Sequence, residues 1–422
     1  MIRRLGPCRF LAVALSFGFL GAGAPAAHAE MDLFSRRAFA GVVDLRLATA
    51  DGEKTFVDGG FGKLRYGGDR SGDWRVKAQV ADVALIWKPQ FSGAFSGLVD
   101  VEAQPEQRPS PDLVQSFVVF KPVPKSDFRY SARAGLYWPE ISLEHGGPAW
   151  TVAETITPSA INAWVGEEVK VLGAEAHVQN RFGGHEIGLT AGVFTDDDTS
   201  GTLLSFRGWA LHDIKSTAAD RFPLPTLSPY MRTKQAPDTR SRRELDNEAG
   251  WYARLEWRPP APFSLNAFYY DNRGDGVSVI NKQWSWDTKF WNFGAAARVG
   301  DKLHLSSQLM FGRTIMGFPS ATGRWVDMKF ASAYLLATRE IGEDSVSGRF
   351  DWFETKDLTT PQDNANEDGW SALAAYRHRL NEHLNLFVEA THIESARPGR
   401  LYGAVPAEQN QNQLQASLRI SF

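Results

Sequence analysis

The carboxyl end of the chain, "LQASLRISF" (414–422), alternates strictly between apolar and polar side chains. Leu414, Ala416, Leu418, Ile420 and Phe422 occupy every second position. Because successive side chains of a β-strand point to opposite faces, the pattern predicts a strand with one apolar and one polar face. The last residue is an aromatic on the apolar face.

The first 29 residues have a different character. Arg3, Arg4 and Arg9 accompany a short apolar run that closes on the small-x-small sequence Ala27-His28-Ala29. This order predicts a secretory signal peptide over residues 1–29. A membrane anchor is the alternative, but the run is short for a spanning helix and is interrupted by glycines.

Cleavage after Ala29 would leave 43 of the 46 basic side chains against 49 acidic ones, a net charge of −6. This acidic balance disfavours nucleic acid as a partner. Cleavage would also remove Cys8, the only cysteine, so the fold of an exported chain would not depend on a disulfide.

The composition is unusual for a soluble secreted protein. Aromatic residues make up 12% of the chain, with 14 Trp and 27 Phe, and there are 38 Gly. The mean hydropathy is nevertheless polar, at −0.31. A transmembrane β-barrel combines these properties, because each strand shows only alternate side chains to lipid.

The alternation recurs along residues 30–422, and the connections between the alternating segments differ in length. Seven are tight and rich in Gly, Pro, Asn or Asp: 88–93, 122–127, 181–186, 258–263, 299–302, 341–345 and 380–383. Eight are longer: 51–73, 104–111, 139–168, 197–248, 273–287, 316–325, 357–367 and 397–410. Short periplasmic turns alternating with long extracellular loops are typical of outer-membrane barrels.

These connections predict an all-β fold, a transmembrane antiparallel up-and-down β-barrel of sixteen strands. Seven hairpins supply fourteen strands, and one strand at each end completes an even number. Segments 61–68 and 201–214 also have strand-like patterns, and counting both would give eighteen. We interpret them as structured parts of loops. Aromatic residues near strand ends are expected at the membrane interface: Trp87, Trp138, Trp251, Trp257, Tyr270, Trp352, Trp370 and Phe422.

No motif for catalysis, phosphate binding or a cofactor is found in the sequence, so we expect no enzyme activity and no cofactor. The eight histidines after residue 29 are scattered. Asp196, Asp197 and Asp198 could hold calcium, but a solvated acidic loop is the favoured interpretation.

The polar face of the strands predicts a charged lumen. Arg129, Arg133, Arg349, Arg377 and Arg419 lie on it, interspersed with carboxylates. Segment 139–168 combines two tryptophans and several aliphatic residues with five glutamates: Glu140, Glu144, Glu154, Glu167 and Glu168. We expect it to fold inward as a constriction whose carboxylates face Arg129 and Arg133. Segment 197–248 is expected to be a long extracellular loop.

Together these features resemble the sixteen-stranded porins of Gram-negative outer membranes. In that group the terminal aromatic, with alternate apolar residues before it, is recognised by the barrel-assembly machinery, and here Phe422, Ile420, Leu418 and Leu414 match it. A second similarity, to phosphate-selective porins, covers only 130–146. No ladder of phosphate-binding residues matches there, so phosphate selectivity is not implied.

The resemblance implies passive diffusion of small hydrophilic solutes or ions through the outer membrane. The implied surroundings are membrane lipid and lipopolysaccharide, and the implied assembly is a homotrimer. The alternative is a barrel plugged by 139–168 or 197–248 that acts as a receptor, adhesin or scaffold. An outer-membrane enzyme ranks third.

Overall fold

A computed structural model describes residues 31–69, 72–321, 323–359 and 365–422, so the predicted signal peptide lies outside the described residues. Within them, sixteen strands form one closed barrel. In chain order the strands are β1 (Phe39–Ala50), β2 (Arg75–Trp87), β3 (Phe95–Ala103), β4 (Asp112–Phe120), β5 (Arg129–Tyr137), β6 (Val171–Phe182), β7 (His185–Thr195), β8 (Gly250–Arg258), β9 (Phe263–Asp271), β10 (Asp287–Val299), β11 (Leu303–Met316), β12 (Val326–Ile341), β13 (Asp344–Asp357), β14 (Glu367–Asn381), β15 (Leu384–Ala396) and β16 (Glu408–Ser421).

The predicted barrel of sixteen strands is confirmed, and each strand pairs antiparallel with its neighbour in sequence. Closure joins β16 to β1 over a register from Val42↔Ser421 to Ala50↔Gln413. The final residue extends this seam, since the backbone N–H of Gly41 donates to the Phe422 carbonyl at 2.9 Å. The Phe422 ring covers Gly41, where a Cβ atom would lie 2.3 Å from the ring. The terminal aromatic is therefore part of the closing seam.

The two ends of the barrel differ as predicted. All seven tight connections join consecutive strands, for example β6 to β7 through Gly183 and Gly184. Their positive φ angles, 54° and 81°, suit glycine in a two-residue hairpin turn. The long connections emerge at the other end, which we assign as extracellular. Segments 61–68 and 201–214 belong to these loops and add no strand to the barrel.

The exterior of the wall is apolar. On β16 the side chains of Gln413, Gln415 and Ser417 are buried inside, while Leu414 is 47% exposed on the outside. Leucine, valine, phenylalanine and tryptophan side chains are similarly exposed on most other strands. Such a surface needs hydrocarbon around it. The chain is an outer-membrane β-barrel.

Besides the apolar exterior surface, the protein has an apolar core inside the barrel. Two helices lie in the long connections, α1 (Ala160–Glu168) and α2 (Thr202–Phe206), and every residue of both is buried. The other helical pieces are 3-10 turns: Arg36–Ala38, Phe56–Asp58, Pro148–Trp150, Met231–Thr233 and Pro398–Gly403. Two short strand pairs, Phe222–Pro223 with Asp238–Thr239 and Val279–Ile280 with Gln283–Trp284, also belong to loops. Among the described residues, no helix has the length and apolar character required to span a membrane.

Two aromatic residues predicted on the lipid face point inward instead. Trp138, the first residue after β5, stacks on Trp150 with ring centroids 4.1 Å apart. Tyr270 packs inside against Phe290 at 4.8 Å. The prediction for Tyr270 was wrong because Tyr269 beside it is also aromatic, so apolar character alone did not distinguish the two faces of β9.

Candidate functional site: the loop-filled lumen

The inward loop (139–168) is anchored to the wall by a buried ion pair. Glu144 Oε1 lies 3.0 Å from Arg349 Nη1 on β13. Arg349 also binds Asp351 at 2.8 Å and donates to the carbonyls of Thr157 and Pro158 at 2.6 and 2.9 Å. One arginine thus holds two separate parts of the loop, and its bonds satisfy most of a charge that would be costly to bury alone.

Neighbouring strands add further anchors to the same loop. Glu389 on β15 accepts hydrogen bonds from the backbone N–H groups of Ile156 and Thr157 at 2.6 and 3.1 Å. On β11, the Gln308 side chain accepts from the Leu143 N–H and donates to the Ile141 carbonyl, both at 3.0 Å. Backbone groups that leave water on entering the lumen therefore find partners on the wall.

The inward loop is joined in turn to the long loop (197–248). Arg207 donates both terminal nitrogens to Glu167 at 2.6 Å, a bidentate pair in which both side chains are buried. His212 Nε2 also lies 3.0 Å from Glu167. Burial alone would raise the pKa of Glu167, but the adjacent Arg207 and His212 lower it to about 2.

Glu168, the next residue, has no cationic partner within 4 Å among the described residues. It accepts hydrogen bonds from Trp164 Nε1 at 2.8 Å and from the N–H groups of Gly201 and Leu203 at 3.1 and 2.9 Å. Burial raises the pKa of Glu168 to about 7, because these donors compensate only part of its lost hydration. Adjacent glutamates of α1 thus have opposite protonation preferences.

A second ionic network fixes the long loop to the first strands. Lys215 Nζ lies 3.1 Å from Asp82 on β2 and 2.6 Å from Glu102 on β3. Burial opposes its charge, but the surrounding carboxylates raise the pKa of Lys215. Asp213 bridges Arg46 of β1 and Arg65 at 2.8 and 2.9 Å, and these two cations overcome its burial and hold its pKa well below the usual range.

The two loops meet in an apolar cluster inside the barrel. The Trp164 ring of α1 packs edge-on against Phe290 of β10 at 5.3 Å and against Trp209 of the long loop at 6.1 Å. Phe330 of β12 lies 5.3 Å from Trp164. All four side chains are buried. These residues of both loops and the wall form a buried apolar layer near the extracellular ends of β10 and β12, which we call the septum.

Four cavities with charged residues in their walls lie toward the two ends of the barrel. Toward the extracellular end, two cavities of about 480 and 450 Å³ share Lys54 and Asp58 in their walls. Toward the periplasmic turns, cavities of about 600 and 410 Å³ are lined in part by Glu154 and His304 and by Arg129 and Arg133, respectively. The extracellular pair shares no lining residue with the periplasmic pair.

The structure gives each predicted lumen residue a defined place. Glu154 lies 3.4 Å from Arg377, and Glu140 lies 3.1 Å from Arg254. Arg419 donates to the carbonyl of Val152 at 2.8 Å, so it also contacts the inward loop. Arg377 likewise donates to Ala153 at 3.0 Å. Three arginines from three strands, Arg349, Arg377 and Arg419, thus bind consecutive parts of one loop.

The prediction that the loop carboxylates face Arg129 and Arg133 is confirmed for Glu140 and wrong for the other four glutamates. Arg133 forms its ion pair with Glu175 of β6 at 2.6 Å. Arg129 shares a periplasmic cavity with Arg133 and Glu140, and the other four glutamates face different partners. The expectation placed the loop against its adjacent strand β5, whereas the loop crosses the lumen to strands β11–β16.

The sequence did not predict which residues anchor the long loop to the inward loop and to the wall. Arg207, His212, Asp213 and Lys215 lie in or beside "GTLLSFRGWALHDI" (201–214). Its apolar character signalled burial, but the charged residues within it gave no sign of their partners, which are distant in sequence.

One group of carboxylates has metal-ligand spacing. Among the described residues, oxygens of Asp198, Glu244 and Asp246 lie within 4.8 Å of one another. Asp198 Oδ2 also accepts the N–H of Asp246 at 3.2 Å, so part of its ligand capacity is used within the cluster. Of the three aspartates considered for calcium, only Asp198 belongs to this group.

Comparison with known proteins agrees with the architecture. No protein-family model and no curated protein matches the sequence. Among solved structures, the chain is similar to an anion-selective porin from Comamonas acidovorans, with a TM-score of 0.53, 14% identity and coverage of 93% of this chain and 100% of that one. Its fold is that of the porins.

Two further porin-like structures match over a similar extent. The outer membrane channel DcaP of Acinetobacter baumannii gives a TM-score of 0.51 at 9% identity, covering 93% of this chain and 99% of that chain. OmpF of Salmonella typhi, solved with daunomycin, gives 0.50 at 12% identity, covering 91% and 97%. At these identities the similarity concerns the porin fold, and function has to be argued from the lumen.

Proposed function

We propose that this porin-like barrel is a gated outer-membrane channel for small hydrophilic solutes or ions. The observation that carries the proposal is the septum, formed where two inward-folded loops pack together in a barrel that has cavities with charged walls toward both ends. The cavities offer charged, water-accessible surfaces at both ends. Passage then requires the inward loop or the long loop to move, because the septum is buried.

Charges of both signs line the proposed route. Arg133 with Glu175 and Arg377 with Glu154 lie on its periplasmic side, and Lys77 with Glu106 lies on its extracellular side. Opposite charges across a narrow aqueous path create a transverse field that acts on dipolar and charged solutes. Neither sign dominates, which favours a channel of mixed polarity over an exporter of one uniformly charged polymer.

The second candidate is a permanently plugged barrel that serves as a receptor, adhesin or scaffold. It is favoured by the apolar packing of Trp164, Trp209 and Phe330, which resembles the core of a soluble domain. The two candidates differ in whether the septum opens under native conditions.

Conductance across a planar bilayer separates the candidates. A chain without Cys8 has no cysteine, so a pair introduced as Asn162→Cys and Gln308→Cys reacts specifically. These side chains are 2.9 Å apart, Asn162 on the loop and Gln308 on the wall. A gated channel conducts before a short thiol cross-linker is added and stops afterwards, whereas each single-cysteine variant keeps conducting.

Absence of conductance in the folded protein, together with an increase only after deletion of 139–168, would support the plugged barrel. Continued conductance after complete cross-linking would refute gating by the inward loop. We also propose homotrimeric assembly and recognition of Phe422 by the assembly machinery. Light scattering in neutral detergent measures the former, and the yield of folded Phe422→Ser in the outer membrane tests the latter.

A further inference from the structure

The exterior wall of β10–β13 carries a row of cations in register. The strand pairing sets Lys289 opposite Arg313, Arg313 opposite Lys329, and Lys329 opposite Lys356. All four side chains are exposed on the outer surface, next to the extracellular ends of their strands. Since adjacent strands are about 4.8 Å apart, the row spans roughly 15 Å across the wall.

Two of these cations already have carboxylate partners. Arg313 binds Asp327 through two hydrogen bonds of 2.7 and 2.6 Å, and Lys289 lies 3.2 Å from Asp287 and 3.7 Å from Asp271.

Lys329 and Lys356 differ, because neither has a carboxylate within 4 Å among the described residues. Glu354, on the same exterior face, makes no ion pair with them there. Directly opposed like charges destabilise a sheet, so an anion between the two lysines would relieve their repulsion.

The position of Lys329 and Lys356 relative to the membrane indicates which anion they would contact. Two residues further toward the membrane, Trp291 pairs with Phe311, and both rings are 43% exposed to the outside. Tyr269 stands beside Trp291 at 4.8 Å between ring centroids. Aromatic rings of this kind mark the level of the lipid headgroups. The lysines therefore lie at or just above the headgroups of the outer leaflet.

A groove in the wall connects the aromatic and basic groups. It measures about 560 Å³ and is lined by Trp291, Phe311, Gly312, Arg313, Lys329 and Lys356, among others. The groove combines a floor of Trp291, Phe311 and Ala331, which ends at the Glu354 carboxylate, with ammonium groups above it. The apolar part of the floor suits an acyl chain, and the ammonium groups suit a phosphorylated headgroup.

We propose that the exterior groove of β10–β13 binds a phosphate-bearing glycolipid of the outer leaflet, with its phosphate between Lys329 and Lys356. An ammonium group binds phosphate as a point charge, and Arg313 retains terminal N–H donors beside the pair. The site depends on the membrane location of the barrel and is independent of whether the septum opens.

Native mass spectrometry in a neutral detergent tests the site on the intact barrel. The probes are a diphosphorylated glucosamine-disaccharide lipid, its fully dephosphorylated form and inorganic phosphate. Lys329→Gln/Lys356→Gln should bind the diphosphorylated lipid about thirty-fold more weakly, taking each lysine near a phosphate-rich surface as worth roughly 1 kcal/mol and 1.4 kcal/mol as tenfold.

The control is Lys125→Gln/Lys302→Gln, which removes two exposed lysines from the periplasmic turns. It should bind the lipid like the unaltered chain, and Lys329→Arg/Lys356→Arg should retain most of the affinity. Equal binding of the dephosphorylated lipid, or equal losses in both double variants, would overturn the proposal. So would binding of inorganic phosphate at the lysines without preference for the lipid. Unchanged conductance of Lys329→Gln/Lys356→Gln keeps this test separate from that of the proposed function.

Discussion

Glu144 and Arg349 are 205 residues apart in sequence, yet their side chains form a 3.0 Å ion pair in the middle of the barrel. Glu144 comes from the inward loop and Arg349 from the wall. The pair is one of the anchors that hold the inward loop in place, and both groups are fully withdrawn from solvent.

Replacing Arg349 with Gln should loosen the inward loop. The change leaves Glu144 and Asp351 buried without their counter-charge, and breaking a buried pair in this way costs ~3–5 kcal/mol. We expect a lower thermal midpoint for loss of the septum and more frequent openings in single-channel records. Arg339→Gln, on the exposed periplasmic end of β12, removes the same charge and should change neither. Identical records for the two variants would refute a gating role for Arg349.

Lys215→Met tests the anchor of the long loop. Without the ammonium group, Asp82 and Glu102 face each other in a buried site, so we expect lower stability and increased conductance. Lys215→Met/Glu102→Gln should recover much of the stability, because one buried carboxylate is neutralised as well. Additive losses in this double-mutant cycle, measured by thermal unfolding, would show that the two residues are not energetically coupled.

The protonation of Glu168 should make the opening of the channel depend on pH. Its pKa is raised to about 7 by burial in the closed state, so that state binds the proton more tightly than an open, hydrated state. The open-to-closed ratio therefore rises with pH, by up to about tenfold per pH unit, as pH approaches 7 from below. It levels off above pH 7, where Glu168 is ionised in both states. Glu167, beside it, stays ionised across this range because its pKa is about 2.

The measurement is open probability between pH 5 and pH 8 for the unaltered chain and for Glu168→Gln, with the Glu168 contribution expected below pH 7. The burial-raised pKa of Asp197, which also faces Glu168, acts in the same direction. Lys63 acts in the opposite direction, since burial lowers its pKa to about 7. The difference between the two proteins therefore isolates Glu168. A pH response that Glu168→Gln leaves intact would assign the effect to other groups.

Phe422→Ser tests the terminal aromatic as an assembly signal. We expect at least a severalfold lower yield of folded barrel in the outer membrane, while refolding of the purified chain into detergent is nearly unchanged. Phe34→Ser is the control, because Phe34 is 74% exposed but lies before β1 instead of at the terminus. Equal loss in the cell and in detergent would mean that Phe422 acts only by packing over Gly41.

The wall of the barrel was predictable because local chemistry determines it. Each tight turn has residues that suit reversal, such as Gly183-Gly184, and each strand shows period-two alternation. The strand count is already even at sixteen, without segments 61–68 and 201–214. Segments 61–68 and 201–214 were correctly assigned to loops on this basis.

The contents of the lumen were less accessible to sequence reasoning. The tryptophans and aliphatic residues of 139–168 indicate burial, but not that Arg349 and Gln308 are its partners. Those contacts depend on how far the loop crosses the barrel, and ion pairs between distant positions have no periodic signal. Inward aromatics such as Phe268 and Tyr270 also hide the alternation, because the outward face of the same strand is apolar too.

The septum and the wall of the barrel are expected to differ in how they unfold. The wall is stabilised by lipid or detergent, whereas Trp164, Trp209 and their neighbours form an interior cluster that never meets hydrocarbon. Urea acts on that cluster much as on a water-soluble domain, yet leaves a closed cylinder of cross-strand hydrogen bonds comparatively unaffected. We therefore expect the interior cluster and the wall to unfold as two separate cooperative units. A urea titration followed by tryptophan fluorescence should show the interior cluster unfolding while the wall remains folded.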